Sequence, residues 1–168
     1  DVERSRGLGD VYKRQVAMVR RVEQRSGRNV GIVVKLETLE SMQNLPDILL
    51  ELMKHERVGV MVARGDMAAE LGIMHMVEAP RYVVNLCQAA QLPVIIGSNI
   101  LETLTDAGQP TRAEVTDAAW AQQAECVMLN HGKHMVETVE AVGALLSAMD
   151  GVQRKNQSLL PSLHEWKR

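Results

Sequence analysis

Residues 58–66 read Val-Gly-Val-Met-Val-Ala-Arg-Gly-Asp, and residues 31–37 read Gly-Ile-Val-Val-Lys-Leu-Glu. Each stretch is an apolar run whose last residues abruptly become charged. Short apolar runs of this kind, rich in valine, are typical of buried strands in a parallel sheet. The carboxyl ends of parallel strands lie at one edge, where barrel folds of this class place their sites. The two stretches therefore predict a parallel α/β fold with charged side chains gathered at one rim.

The strand-then-helix pattern repeats along the chain. Strand onsets near residues 31, 58, 93 and 125 are separated by stretches long enough for an amphipathic helix. Four such βα units are half of a (β/α)8 barrel, which typically needs about 250 residues. We therefore expect an α/β fold in which residues 16–152 form a partial (β/α)8 TIM barrel, namely its last four βα units. A complete open sheet of four strands is the alternative.

Individual elements follow from hydrophobic periodicity and from residues that start or stop helices. Strands are expected over residues 29–36, 58–63, 92–96 and 126–129, and helices over residues 16–26, 42–54, 78–90, 99–104, 111–124 and 136–149. Near-continuous apolar strands predict that both faces of the sheet are covered. Thr111 and Glu114 form the sequence pattern of a capping box at a helix start.

The two ends of the chain depart from this pattern. Residues 1–15 (DVERSRGLGDVYKRQ) are polar and aperiodic, and they resemble read-through translation of a sequencing adapter. We expect them to be a non-native tail, with a natural flexible tail as the alternative, and in either case to lie outside the fold. Residues 153–168 are expected to form a basic C-terminal tail.

Composition excludes several classes of function. The formal net charge of -2 offers no electrostatic case for binding nucleic acid or an anionic membrane. Aromatic residues are 2% of the chain, so base stacking on an aromatic platform is not expected. No stretch approaches the ~20 apolar residues of a membrane-spanning helix. Cys87 and Cys126 have no paired spacing, which favours a reduced, cytoplasmic protein.

The strand ends carry the candidate site. Lys35 and Glu37 are two residues apart on a strand, so their side chains leave the same face. Asp66 ends the neighbouring strand, ~4.8 Å away, and could share a hard cation such as Mg²⁺ with Glu37. Gly65 lets a ligand approach the backbone closely, and the following turn can direct amides at a carboxylate. Ser98 places a hydroxyl at the end of the third strand.

Each of these features also has an ordinary explanation. A Lys-x-Glu pair at a strand end is often a solvated ion pair, and Ser98 alone is more often a helix N-cap. The coincidence of such residues on three consecutive strand ends favours a shared site.

Four ordered segments carry a family resemblance. Lys35–Glu37 is similar to the motif Lys-Ile-Glu, Met61–Asp66 to Met-Val-Ala-Arg-Gly-Asp, and Pro93–Glu102 to Pro-Val-Ile-x-Ala-Thr-Gln-Met-Leu-Glu. Pro110–Glu114 is identical to a fourth motif, Pro-Thr-Arg-Ala-Glu. In this order the segments resemble the pyruvate kinase family, and the likeness runs over about residues 29–142.

The resemblance implies a glycolytic, ATP-binding phosphotransferase that converts phosphoenolpyruvate and ADP into pyruvate and ATP, with Mg²⁺ or Mn²⁺ and often K⁺. It implies that Glu37 and Asp66 ligate the divalent metal and that Lys35 stabilises charge on the moving phosphoryl group and the enolate. The backbone of Gly65 and Asp66 would hold the substrate carboxylate. Ser98 stands where the family has a threonine near the enolate carbon, which implies a catalytic and substrate-binding role. The full-length protein is expected to be a homo-oligomer.

Departures from the family pattern leave alternatives open. Ser98 replaces the threonine, Met67-Ala68 replaces Leu-Gly, and Asn-His-Gly-Lys at residues 130–133 replaces Ser-Gly-Glu-Thr on the nucleotide side. The alternatives are a metal-dependent aldolase or lyase acting on pyruvate enolate, and a non-catalytic pyruvate kinase-like regulatory barrel.

The resemblance also bears on what the 168-residue chain does alone. In the family, the K⁺ ligands, the phosphate-binding arginine and the lid domain precede the segments matched here. We also expect the protein to be without the C-terminal regulatory domain, because the chain resembles a pyruvate kinase-like subgroup that ends at the barrel. We expect the fragment to be inactive by itself and, with strand edges exposed, to aggregate or dimerise.

Overall fold

The computed structural model describes residues 30–149, together with Ala17, Arg20, Arg21, Gln24, Arg25 and Gly27. A sheet of four parallel strands is the centre of the fold, in the order β1-β2-β3-β4. The strands are β1 (Ile32–Leu36), β2 (Val58–Ala63), β3 (Val94–Gly97) and β4 (Cys126–Val127). Strand order follows chain order, as it does in the consecutive βα units of a (β/α)8 barrel. The predicted parallel α/β fold is therefore confirmed.

Helices connect and cover the strands. They are α1 (Leu39–Gln43), α2 (Leu45–Leu52), α3 (Arg64–Leu71), a 3₁₀ helix (Ile73–Val77), α4 (Ala79–Ala89), α5 (Glu102–Ala107), α6 (Arg112–Ala121) and α7 (Met135–Met149). The capping box that opens α6 is confirmed, because the Glu114 amide donates to Thr111 Oγ1 at 3.2 Å and the Thr111 amide donates to Glu114 Oε2 at 2.8 Å. Glu114 Oε1 also accepts the amide of Thr103 at 2.6 Å, which ties α6 to α5.

The single helix expected over residues 42–54 is wrong, since two helices meet there. Asn44 ends α1, where its amide and its side-chain Nδ2 both donate to the carbonyl of Glu40, at 3.2 and 2.8 Å. Pro46 then lies in the first turn of α2. A proline has no amide hydrogen to donate to Met42, so the first helix cannot continue through it.

The expected start of the next short helix, near residue 99, is also wrong. Helix α5 begins at Glu102, because Asn99 and Leu101 have positive φ angles of 61° and 51°. β4 is shorter than expected, with two paired residues against the predicted 126–129. The other predicted strands and the helices over 78–90, 111–124 and 136–149 agree with the structure to within three residues.

The core lies between the sheet and the helices. Side chains of β1 alternate, with Ile32, Val34 and Leu36 buried and Val33 51% exposed. The expectation that both faces of the sheet are covered thus fails for β1 among the described residues, where no element packs against the Val33 face. Lys35 lies on this same open face.

The predictions for the tails at 1–15 and 153–168 fall outside the described residues. The helix expected over 16–26 is described at five positions, all helical. Within the described part of the chain, none of the helices has the length and apolar character needed to cross a membrane.

Candidate functional site at the carboxyl ends of the strands

A lysine and two carboxylates meet at the carboxyl ends of β1 and β2. Lys35 is the penultimate residue of β1, Glu37 follows the strand, and Asp66 lies in the first turn of α3. Lys35 Nζ donates to Asp66 Oδ2 at 2.8 Å and forms an ion pair with Glu37 Oε2. The structure thus brings together the three charged residues that the sequence places at this rim.

The three side chains face solvent, with exposed fractions of 47% for Lys35, 37% for Glu37 and 64% for Asp66. The hydrogen bond from Lys35 holds the pKa of Asp66 below its ordinary value of 3.8. Hydrogen bonds to Asp66 and then Glu37 raise the pKa of Lys35 above 10.5. The pair of carboxylates therefore holds a cation at neutral pH, the ammonium of Lys35.

The segment after β2 is a helix start rather than a turn. Helix α3 begins at Arg64, directly after the strand, so Gly65 and Asp66 occupy its first turn. Amides of a first helical turn have no partner within the helix. Ala63, at the N-cap, makes no side-chain hydrogen bond to them. This end of the helix carries partial positive charge and suits an anionic group such as a carboxylate.

Ser98, the first residue after β3, lies at the same rim beside Gly65. A β-carbon added to Gly65 would lie 3.1 Å from Ser98 Oγ and 3.7 Å from Asn99 Oδ1. The Ser98 hydroxyl therefore lies directly beside the first turn of α3, and the predicted position of Ser98 at the rim agrees with the structure.

The loop that carries Ser98 has an unusual backbone. Asn99 and Leu101 are in the left-handed region, which costs on the order of 1–3 kcal/mol at a non-glycine residue and persists only when neighbours hold it. Asn99 Nδ2 donates to Glu102 Oε2 at 2.6 Å, and the Leu101 side chain is buried. Thr105 Oγ1 donates to the Leu101 carbonyl at 2.9 Å. These contacts fix the loop between β3 and α5.

Sequence reasoning gave no role to Arg64, Asp117 or Glu102. The Arg64 guanidinium forms an ion pair with Asp117 on α6 and donates from Nη2 to the Ser98 carbonyl at 3.0 Å. Glu102 also accepts from Asn130 Nδ2 at 3.4 Å, which links the start of α5 to the segment after β4. Arg64 and Asp117 are 53 residues apart, so no local sequence signal could have paired them.

The donor set suits a hard divalent cation with few protein ligands. Among the described residues no three histidine, cysteine, aspartate or glutamate side chains are grouped to hold a metal ion. Glu37 and Asp66 nevertheless offer carboxylate oxygens around a shared positive charge, the Lys35 ammonium. Mg²⁺ is commonly bound through one or two carboxylates, with water and substrate oxygens completing its shell. The two carboxylates fit this mode of binding.

The fold and the rim define a class of protein: a parallel α/β protein of consecutive βα units with a lysine-carboxylate site at the strand ends. The family profile for the pyruvate kinase barrel domain matches residues 12–139. The chain belongs to the pyruvate kinase family.

Individual relatives agree with this assignment. Pyruvate kinase from Leishmania mexicana is 37% identical over 132 residues, which are 75% of this chain and 26% of that protein. Plastidial pyruvate kinase 2 from Arabidopsis thaliana is 39% identical over 116 residues, 66% of this chain and 19% of that protein. The crystal structure of a pyruvate kinase from Cryptosporidium parvum matches with a TM-score of 0.67 and 30% identity, covering 73% of this chain and 25% of that one. The chain thus spans about a fifth to a quarter of these relatives.

Proposed function

We propose that this chain is the part of a pyruvate kinase that contributes the last four βα units of the catalytic barrel. The whole protein would transfer the phosphoryl group of phosphoenolpyruvate to ADP, in the cytoplasm and as a homo-oligomer. The observation that supports this most directly is the Lys35 ammonium held between Glu37 and Asp66 at the strand ends. The cytoplasmic location stays a prediction, since some relatives are named plastidial or chloroplastic.

Glu37 and Asp66 would hold the divalent metal, Mg²⁺ or Mn²⁺. A bound divalent cation supplies neutralisation of charge on phosphoryl and enolate oxygens. Lys35, which pairs with both carboxylates, lies on the open face of β1. No described residue is assigned to K⁺, which the family resemblance alone implies.

Lys35 would stabilise the charge that moves during the reaction. The bond between the enol oxygen and phosphorus breaks, a bond from phosphorus to an ADP oxygen forms, and the enolate of pyruvate remains. Because Lys35 is positively charged and exposed at the rim, its ammonium can turn from the carboxylates toward these oxygens. Charge stabilisation of this kind is the main contribution a protein makes to phosphoryl transfer.

The first turn of α3 and Ser98 would position the substrate. The amides of Gly65 and Asp66 offer donors to its carboxylate, at the positive end of the helix. The Ser98 hydroxyl lies beside this turn. It would pass a proton to the methylene carbon of the enolate, which yields pyruvate, and would regain a proton from solvent water.

The test is pyruvate formation from phosphoenolpyruvate and ADP, measured by coupled reduction to lactate. We expect activity from the full reading frame that encodes this chain, with Mg²⁺ and K⁺ present, and none from the 168-residue chain. Pyruvate formation by the 168-residue chain would refute its proposed inactivity. Cleavage of 2-keto acids by the full protein without ADP would favour an aldolase or lyase, and Mn²⁺ binding unaffected by substrate, with no turnover, would favour a regulatory barrel.

Replacing Gly65 with alanine is expected to lower kcat/KM by up to roughly tenfold. The new methyl group would lie 3.1 Å from Ser98 Oγ, so the hydroxyl must give by a few tenths of an ångström. A displacement of about 1 Å in a site costs on the order of 10²-fold in rate, so this smaller shift should cost less. Steady-state kinetics of the full protein measure the effect.

Gly143→Ala is the matched control for this substitution. Gly143 lies in α7, and an added β-carbon there meets no atom within 4 Å. Alanine stabilises a helix by roughly 0.5–1 kcal/mol relative to glycine, so this variant should keep its activity and unfold at the same or a higher temperature. Equal activity of Gly65→Ala and Gly143→Ala would contradict the proposed substrate contact at Gly65.

A further inference from the structure

Arg64 connects three elements of the rim. It begins α3, its Nη1 forms an ion pair with Asp117 on α6, and its Nη2 donates to the carbonyl of Ser98 at 3.0 Å. Its side chain is only 13% exposed. Unlike the exposed Lys35, Arg64 is largely buried beneath the rim, where it binds the backbone of Ser98.

The loop after β3 needs such a contact. Asn99 and Leu101 have positive φ angles, so the backbone after Ser98 is in a conformation that its own residues disfavour. Asn99 is held from its far side by Glu102, and Leu101 by burial. At the end of the loop next to β3, the Arg64 guanidinium donates to the Ser98 carbonyl and so ties the Ser98 backbone to the start of α3.

The geometry requires an arginine. Two separate nitrogens of one planar group bind partners on two different elements, which a single ammonium cannot do in the same way.

We propose that Arg64 is a positioning residue, which acts through the Ser98 carbonyl, with its charge balanced by Asp117, to fix the Ser98 hydroxyl beside the first turn of α3. This inference rests on the function proposed above. Replacing Arg64 should therefore slow the reaction steps that use the Ser98 hydroxyl, and it should have little effect on kcat once that hydroxyl is removed.

The test is a double-mutant cycle of Arg64→Lys and Ser98→Ala in the full protein. We expect Arg64→Lys to lower kcat about tenfold to hundredfold with a smaller change in KM for phosphoenolpyruvate. In the Ser98→Ala background the same change should lower kcat less than about threefold, because the two residues act as one unit. Effects that multiply independently would overturn the inference.

Asp117→Asn provides a second variant in case Arg64→Lys does not fold. It keeps Arg64 and removes the balancing charge, so we expect a smaller loss in kcat that is again abolished in the Ser98→Ala background. Arg81→Lys, at an exposed position of α4, is the control and should leave kcat unchanged.

Hydrogen exchange separates failure of this inference from failure of the proposed function. In Arg64→Lys and Asp117→Asn, exchange should accelerate across residues 98–105, where the Thr105 amide donates to the Leu101 carbonyl, and stay unchanged in α2. If the wild-type protein has no pyruvate kinase activity but exchange is still faster in the variants, the proposed function is overturned and the link between Arg64 and the Ser98 loop is kept. Unchanged exchange in both variants would overturn the link itself.

Discussion

Glu37→Gln and Asp66→Asn are each expected to weaken Mn²⁺ binding strongly. Loss of a residue that only hydrogen-bonds to a metal ligand typically costs tenfold to hundredfold in metal affinity, and loss of a direct ligand should cost more. Each variant replaces one of the two carboxylates that share the Lys35 ammonium by a neutral amide. A hard divalent cation binds an anionic oxygen far better than an amide oxygen. Electron paramagnetic resonance of free Mn²⁺ measures the affinity in the 168-residue chain and in the full protein.

Glu140→Gln is the matched control for this loss of charge. Glu140 is exposed on α7, so its replacement removes the same charge without touching the rim. It should leave Mn²⁺ affinity within about twofold of wild type, since salt weakens the long-range effect of an exposed charge that makes no contact with the site. Wild-type affinity in both Glu37→Gln and Asp66→Asn would remove the metal site from this rim.

The strand ends could be predicted from sequence because their signals are local. Apolar runs locate β1 and β2, and the side-chain alternation of a strand puts Lys35 and Glu37 on one face. Parallel pairing then brings the end of β2 alongside, so Asp66 follows without further information. The capping box at Thr111 is equally local and agrees with the structure.

What sequence reasoning missed depends on backbone detail or on distant contacts. A positive φ angle at Leu101 is unfavourable for a branched side chain, so local preference predicts a helix where the structure has a loop. Burial of the Leu101 side chain outweighs that preference. The ion pair of Arg64 with Asp117 joins residues that only the packing of α6 on the site brings together. The arrangement around Ser98 was therefore invisible in the sequence, although Ser98 itself was not.

Lys35→Met is expected to lower phosphoryl transfer by about 10²–10³-fold in the full protein, the usual loss when one preorganised charge-stabilising group is removed. The reason is that, in the proposed reaction, the developing charge on the transferred group and the enolate loses the Lys35 ammonium. The loss should be mainly in kcat, with a smaller change in KM for phosphoenolpyruvate, because the interaction is made chiefly in the transition state.

The same variant should bind Mn²⁺ several-fold more tightly in the absence of substrate. In the wild-type protein the Lys35 ammonium occupies the space between Glu37 and Asp66, so a divalent cation must displace it before it can use both carboxylates. Without the lysine, the two carboxylates repel each other, and a bound cation relieves that repulsion. The rise in unfolding temperature on adding Mn²⁺ should therefore be larger in Lys35→Met than in wild type.

Lys54→Met separates this effect from a general loss of positive charge. Lys54 is also exposed and also pairs with a carboxylate, Glu51, but it lies away from the strand ends. It should change neither the rate nor Mn²⁺ affinity, because an exposed pair of this kind contributes little and has no part in the rim. Weaker Mn²⁺ binding in Lys35→Met would mean that Lys35 organises the carboxylates instead of competing for them. A lower rate of phosphoryl transfer together with tighter Mn²⁺ binding in Lys35→Met is expected only if Lys35 both competes with the metal for the two carboxylates and stabilises charge during the reaction.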